Sequence, residues 1–135
     1  MASQPGATLD QRRASHAWGA VQRAKQKQGP HQKQEPKKFG GQAKKLPVRI
    51  MTAGLGQALA FLKAKGYAPG LLAELTDWIN QRMPPQGNEP KDLLERIIEG
   101  NADVLRRATD EVLAYLLWLN RFAEAEGLTE DTEES

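Results

Sequence analysis

Residues 106–125 read RRATDEVLAYLLWLNRFAEA. From Val112 to Leu119 this stretch is apolar almost all the way round, the pattern of a helix enclosed by others. It is predicted to run from about residue 103 to 126, opening near Asp103 and closing at Gly127, and to form the central element of a helical bundle.

Working backwards, Leu93, Leu94, Ile97 and Ile98 predict a short helix at about 90–99 with these four side chains turned inward. The run Pro84-Pro85-Gln86-Gly87-Asn88 separates it from a helix at about 69–83, whose one face carries Leu71, Leu72, Leu75, Trp78 and Ile79. Before that, Ile50, Met51, Leu55, Ala58, Leu59, Phe61 and Leu62 predict a helix at about 47–65, with Gly66 at its C-cap. Pro47 is expected to open this helix at a bend, since an interior proline removes a backbone bond. Gly54 and Gly56 would then lie inside it, each costing about 1 kcal/mol relative to alanine.

Pro36 suits the first turn of the preceding helix, in which Phe39, Ala43, Leu46 and Ile50 keep helical spacing. Residues 28–35, QGPHQKQE, read as a basic, glutamine-rich linker broken by Gly29-Pro30. The first helix is predicted from the capping box Thr8-Leu9-Asp10-Gln11 to about Lys27. Residues 1–7 and the acidic stretch 128–135, LTEDTEES, are expected to be disordered. No segment alternates like a strand bounded by hairpin turns. The fold class is therefore all-α: a single-domain bundle of five to six helices over residues 8–127, without a sheet.

The 135 residues suffice for one core. No cysteine is present, which rules out disulfides, thiolate nucleophiles and cysteine-ligated zinc. No apolar run approaches the ~20 residues that span a bilayer, and the N-terminus lacks a signal-peptide core, so a soluble cytoplasmic protein is expected. Net charge is only +2, but it is strongly polarised. Residues 1–65 hold 13 Lys/Arg against 2 acids, and residues 66–135 hold 6 against 15. Such a chain offers a basic surface to a polyanion and an acidic surface elsewhere.

Candidate catalytic groups are sparse. His16 and His31 have no second ligand at metal-binding spacing, and no phosphate-cradling loop or serine nucleophile motif occurs. The pairs Glu95/Glu99 and Glu126/Glu130 read as solvated faces. Trp18, Trp78 and Trp118 all fall in apolar helical patterns, which favours core or subunit interface over base stacking. No catalytic residue, metal, cofactor or small-molecule substrate is expected.

The basic residues carry the functional reading. Arg12, His16, Arg23 and Lys27 lie within about 60° of one another on the first helix. Lys38, Lys45 and Arg49 share a second flank if helical phase survives Pro47, with Lys44 nearby in the chain. Acids are almost absent beside them in sequence, so both stripes are expected to be unneutralised and to bind phosphates without base preference.

The segment Lys45-Leu46-Pro47-x-x-Ile50-Met51-x-x-Gly54-Leu55-Gly56-Gln57-Ala58-Leu59-Ala60-Phe61 resembles the central signature of the small subunit of Cmr complexes, the type III-B CRISPR RNA-guided effectors. Residues 106–125 resemble that family's final helix, and Trp78 fits its middle helix. Leu105 stands where an aromatic residue is expected. The resemblance covers about residues 42–126. It implies a non-catalytic subunit of an antiviral effector, stacked with copies of itself beside a repeated backbone subunit that holds the guide RNA and cuts the target. The small subunits would help form the basic channel for target RNA and the guide–target duplex. Arg12, Arg23, Lys27, Lys38, Lys44, Lys45, Arg49 and Lys63 are the RNA-binding candidates. The related Csm small subunit, a stand-alone basic nucleic-acid-binding protein and a protein–protein scaffold are the competing readings.

Overall fold

The computed structural model describes residues 6–26, 35–66, 68–87 and 91–129. They form six helices and no strand: α1 Leu9–Gln26, α2 Glu35–Ala53, α3 Leu55–Lys65, α4 Pro69–Arg82, α5 Leu93–Glu99 and α6 Ala102–Ala125. The molecule is an all-α bundle. Residues 1–5, Lys27, most of the glutamine-rich linker and the acidic residues 130–135 lie outside the described residues, and with them most of the expected disordered ends.

Capping chemistry sets several boundaries. Thr8 Oγ1 accepts the Gln11 N–H at 3.0 Å, while Gln11 Oε1 accepts the Thr8 N–H at 2.8 Å, the reciprocal pair read from the sequence. Asp92 and Glu95 make the same exchange at the start of α5. The start of α6 is fixed by Asn101, whose side chain accepts the Val104 N–H. Its end is a Schellman turn in which Gly127 (φ 72°) sends its N–H to Glu124 O and Leu128 sends its N–H to Ala123 O. Leu128, counted with the tail in the sequence reading, is therefore buried.

The expected helix start at Pro47 is overturned. Helix α2 runs through Pro47, and the chain breaks at Gly54 instead. Gly54 has φ 90° and ψ 159°, a backbone conformation open essentially to glycine alone. It still accepts the Ala58 N–H and donates to Ile50 O, so both helices keep a hydrogen bond to the residue at the joint. The penalty at Pro47 is the missing N–H to Ala43 O, and Asn120 of α6 supplies a substitute donor at 3.0 Å.

Helix α6 packs against α1, α2 and α4, and α3 packs against α2, α4 and α5. Val112, Tyr115, Leu116 and Leu119 of α6 meet Ala17, Ala20 and Val21 of α1, Leu46 of α2 and Leu75 and Trp78 of α4 in one core. Three expected inward side chains face solvent: Met51, Ile98 and Leu117 are 75%, 72% and 76% exposed. The apolar run in α6 is thus buried on most of its circumference, with Leu117 left on an open edge beside α2. Phe61, also expected inward, is 38% exposed and lies under the Arg49 guanidinium, 4.3 Å from its ring centroid.

Candidate nucleic-acid interface

Among the described residues, no cluster of three or more histidine, cysteine, aspartate or glutamate side chains could hold a metal ion. Among the described residues, two polar clusters join α1, α4 and α6. In the first, Arg13 donates to both oxygens of Glu111, at 2.6 and 3.0 Å, and Trp78 Nε1 donates to Oε2 at 3.0 Å. Arg82 approaches the same carboxylate at 3.4 Å. Burial alone would raise the Glu111 carboxyl. The Arg13 and Trp78 hydrogen bonds and the two guanidinium charges outweigh it and hold the group below the usual carboxylate range.

In the second cluster, Tyr115 and His16 Nδ1 are 2.7 Å apart, and His16 Nε2 is 2.7 Å from Asp77. The Tyr115 ring stacks on Trp78. Burial pushes the Tyr115 phenol up, so its oxygen keeps its proton, and the His16 ring links it to Asp77. A fully buried, protonated phenol is a structural link rather than a nucleophile. His16, placed on a basic flank by the helical wheel, belongs to this internal chain.

The expectation of unneutralised basic stripes fails on α1, where an acid of the C-terminal half folds onto Arg23, while on α2 no acid pairs with Lys38 or Lys44 among the described residues. Arg23 grips Glu74 with two hydrogen bonds, at 2.7 and 2.8 Å. Lys63 pairs with Asp92 at 3.0 Å, and Lys25 with Glu126 at 2.6 Å. Arg49 donates to Gln42 at 2.7 Å as well as covering Phe61. Lys27 lies outside the described residues.

What is left is narrower than the sequence set. Arg12 and Lys44 are exposed and Lys38 is half-buried, and none of the three makes an ion pair among the described residues. Lys37, half-buried, joins them on the same terms. Because α2 continues through Pro47, helical phase is kept: Lys38, Lys45 and Arg49 share one flank, and Lys37 and Lys44 share another. The exposed Lys45 completes the first flank. Sequence reasoning missed Arg13 and Glu111 as partners. The available signal was a carboxylate four residues before Tyr115, on the inner face of α6.

Trp18 is 42% exposed and lies edge-on to Phe122, with ring centroids 5.3 Å apart. Trp78 is buried, while Trp118 is partly buried and donates Nε1–H to Asp10 at 3.0 Å.

Fold and surface together define a small all-α module that carries a residual cationic face on α2 and an exposed apolar strip between α2 and α6. A model of the CRISPR-associated protein family Cmr5 matches residues 9–126. A crystal structure of a CRISPR-associated Cmr5 family protein from Thermus thermophilus superimposes with a TM-score of 0.71 and 30% identity, covering 92% of this chain and 100% of that one. The chain belongs to the Cmr5 family, the small subunits of type III-B CRISPR complexes.

Proposed function

We propose that this subunit lines the channel of the effector in which target RNA pairs with the guide, binding phosphates and providing assembly surface without catalysing cleavage. The observation that carries this reading is the set of cations on α1 and α2 that have no hydrogen bond or ion pair among the described residues: Lys37, Lys38 and Lys44 on α2, with Arg12 on α1. Guide pairing already supplies sequence specificity, so a neighbouring subunit needs only to read phosphates. The exposed Val48, Met51 and Leu117, 69–76% accessible, are the surface we assign to neighbouring subunits, whether the repeated backbone subunit or another copy. Among the described residues no helix is long and apolar enough to cross a membrane. A cytoplasmic antiviral role follows from the same reading.

The test is a salt titration of target-RNA affinity in reconstituted complexes carrying Lys37→Glu, Lys38→Glu and Lys44→Glu. Affinity should fall. The slope of log K against log salt should flatten by about 0.7 for each phosphate that is no longer neutralised. A variant complex that assembles normally and binds target with unchanged affinity and slope would overturn the channel-lining role.

A further inference from the structure

The end of α4, the short helix α5 and the start of α6 border a cleft of about 540 Å³. Its size falls within the range of small-molecule sites, about 300–1,000 Å³. Three arginines line it, one from each helix: Arg82, Arg96 and Arg107. Met83, Pro84 and Val104 supply apolar wall.

The positive charge here is poorly matched from within. Arg96 donates through Nη1 to Asn80 Oδ1 at 2.9 Å and to Met83 O at 2.6 Å, both neutral acceptors. It has no ion pair among the described residues, and burial lowers its pKa, whereas acid partners raise those of Arg13 and Arg23. Arg82 makes no hydrogen bond among the described residues. Its Nε is closed to solvent 3.4 Å from Glu111, a carboxylate that Arg13 already grips with two bonds. Arg107 reaches Asp103 only at 3.9 Å, and Asp103 already accepts from Arg106 at 2.5 Å. The acid that lines the cleft, Glu99, is paired with Lys91. Gly100 and Asn101 bring the start of α6 to the same wall, adding the positive end of a 24-residue helix.

We propose that this cleft is an anion site apart from the α2 face, one that takes a phosphomonoester: the phosphate of a mononucleotide or the phosphorylated end of a strand. A guanidinium presents paired N–H donors that match phosphate oxygens two at a time. Three of them, short of counter-charge, suit a group with close to two negative charges and three free oxygens. A phosphodiester inside a strand carries a single charge and is the poorer match. Beside the phosphate the cleft has room for a nucleoside, whose apolar parts would meet Met83, Pro84 and Val104. The site shares no residue with the α2 face and does not depend on its channel-lining role.

Equilibrium dialysis of the full chain against labelled uridine 5′-monophosphate tests this, with labelled uridine as the control. The monophosphate should bind and uridine should not. Arg107→Gln, at an exposed position, should weaken binding about two- to five-fold. Arg96→Lys keeps the charge but loses the fork, and should weaken it about ten-fold. Thermal unfolding without ligand checks that this variant folds, and Arg107→Gln decides the matter if it does not. Lys37→Gln and Lys44→Gln should leave monophosphate binding unchanged. A 5′-phosphorylated oligouridylate should displace the monophosphate, and its 5′-hydroxyl form should do so far less well. Displacement at lower concentration than unlabelled mononucleotide requires assigns the site to strand ends, and at higher concentration to free nucleotides; either result upholds the site. Absence of monophosphate binding, affinity unmoved by Arg107→Gln, affinity lost with Lys37 and Lys44, or equal displacement by the 5′-hydroxyl strand would overturn it.

Discussion

Asn120 Nδ2 donates to Ala43 O at 3.0 Å, satisfying from α6 the one carbonyl of α2 that Pro47 cannot reach. The proline is tolerated in mid-helix because a side chain 77 residues away replaces the bond it removes. Asn120→Ala should leave that carbonyl unsatisfied and cost about 1–3 kcal/mol. In a Pro47→Ala background, where the backbone bond can form, the same change should cost at least about 1 kcal/mol less. Denaturant unfolding of the four-member cycle measures the coupling, and additive costs would contradict the link.

The Arg13–Glu111–Trp78 cluster makes stability sensitive to acid. Glu111 titrates lower in the folded chain than in the unfolded one, so its contribution is complete above the unfolded value of about 4.3. It should be lost as pH falls from there through the folded value. Glu111→Gln should cost about 3 kcal/mol at neutral pH, because it leaves a poorly hydrated guanidinium without its counter-charge. The loss of stability between about pH 5 and 3 should shrink in that variant. Thermal unfolding across this range checks both effects, and an unchanged acid limb would show that other carboxylates govern it.

Gly40 is the seat of Leu128, and space for a side chain is absent there. Gly40→Ala must push the backbone of Leu128 away, at a cost of about 1–3 kcal/mol. Hydrogen exchange should report faster exchange at Leu128, whose N–H closes the α6 turn on Ala123. Retained protection with unchanged stability would show that α2 can shift instead.

Ion pairing should separate the basic residues by function. Lys44 has no acid partner among the described residues, whereas Arg23 is held by Glu74. In the assembled complex Lys44→Gln should lower the RNA salt slope by about 0.7, with Arg23→Gln leaving it almost unchanged. Equal slopes for the two variants would mean that the Glu74 pair opens when RNA binds.

The tryptophans should divide by burial. Trp78→Ala should cost about 3–5 kcal/mol and also free a hydrogen-bond site on buried Glu111. Trp18→Ala should cost clearly less, since 42% of that residue is already in water. Chemical unfolding ranks the two, and a reversal would place Trp18 in the core.

The helices and their assembly into a bundle were legible along the chain. Helical periodicity is local, and so are the caps at Thr8, Gly66 and Gly127 and the breaks near residues 66 and 84–88. The same locality made the Pro47 expectation fail, because whether a helix survives a proline depends on the group that meets the stranded carbonyl. That group, Asn120, comes from another helix. The inward turns expected of Met51 and Ile98 failed for a related reason: apolar spacing shows that a stripe exists, while neighbouring helices decide how wide a stripe they cover.

Charge divided in the same way. The polarity of the two halves could be read along the chain. Which cations remain available could not, because an ion pair joins faces rather than neighbours: Glu74 reaches Arg23 across 51 positions, and Glu126 reaches Lys25 across 101. Only the packing of α4 and α6 on α1 brought those acids to the basic helix, leaving Lys37, Lys38 and Lys44 of α2 outside their reach.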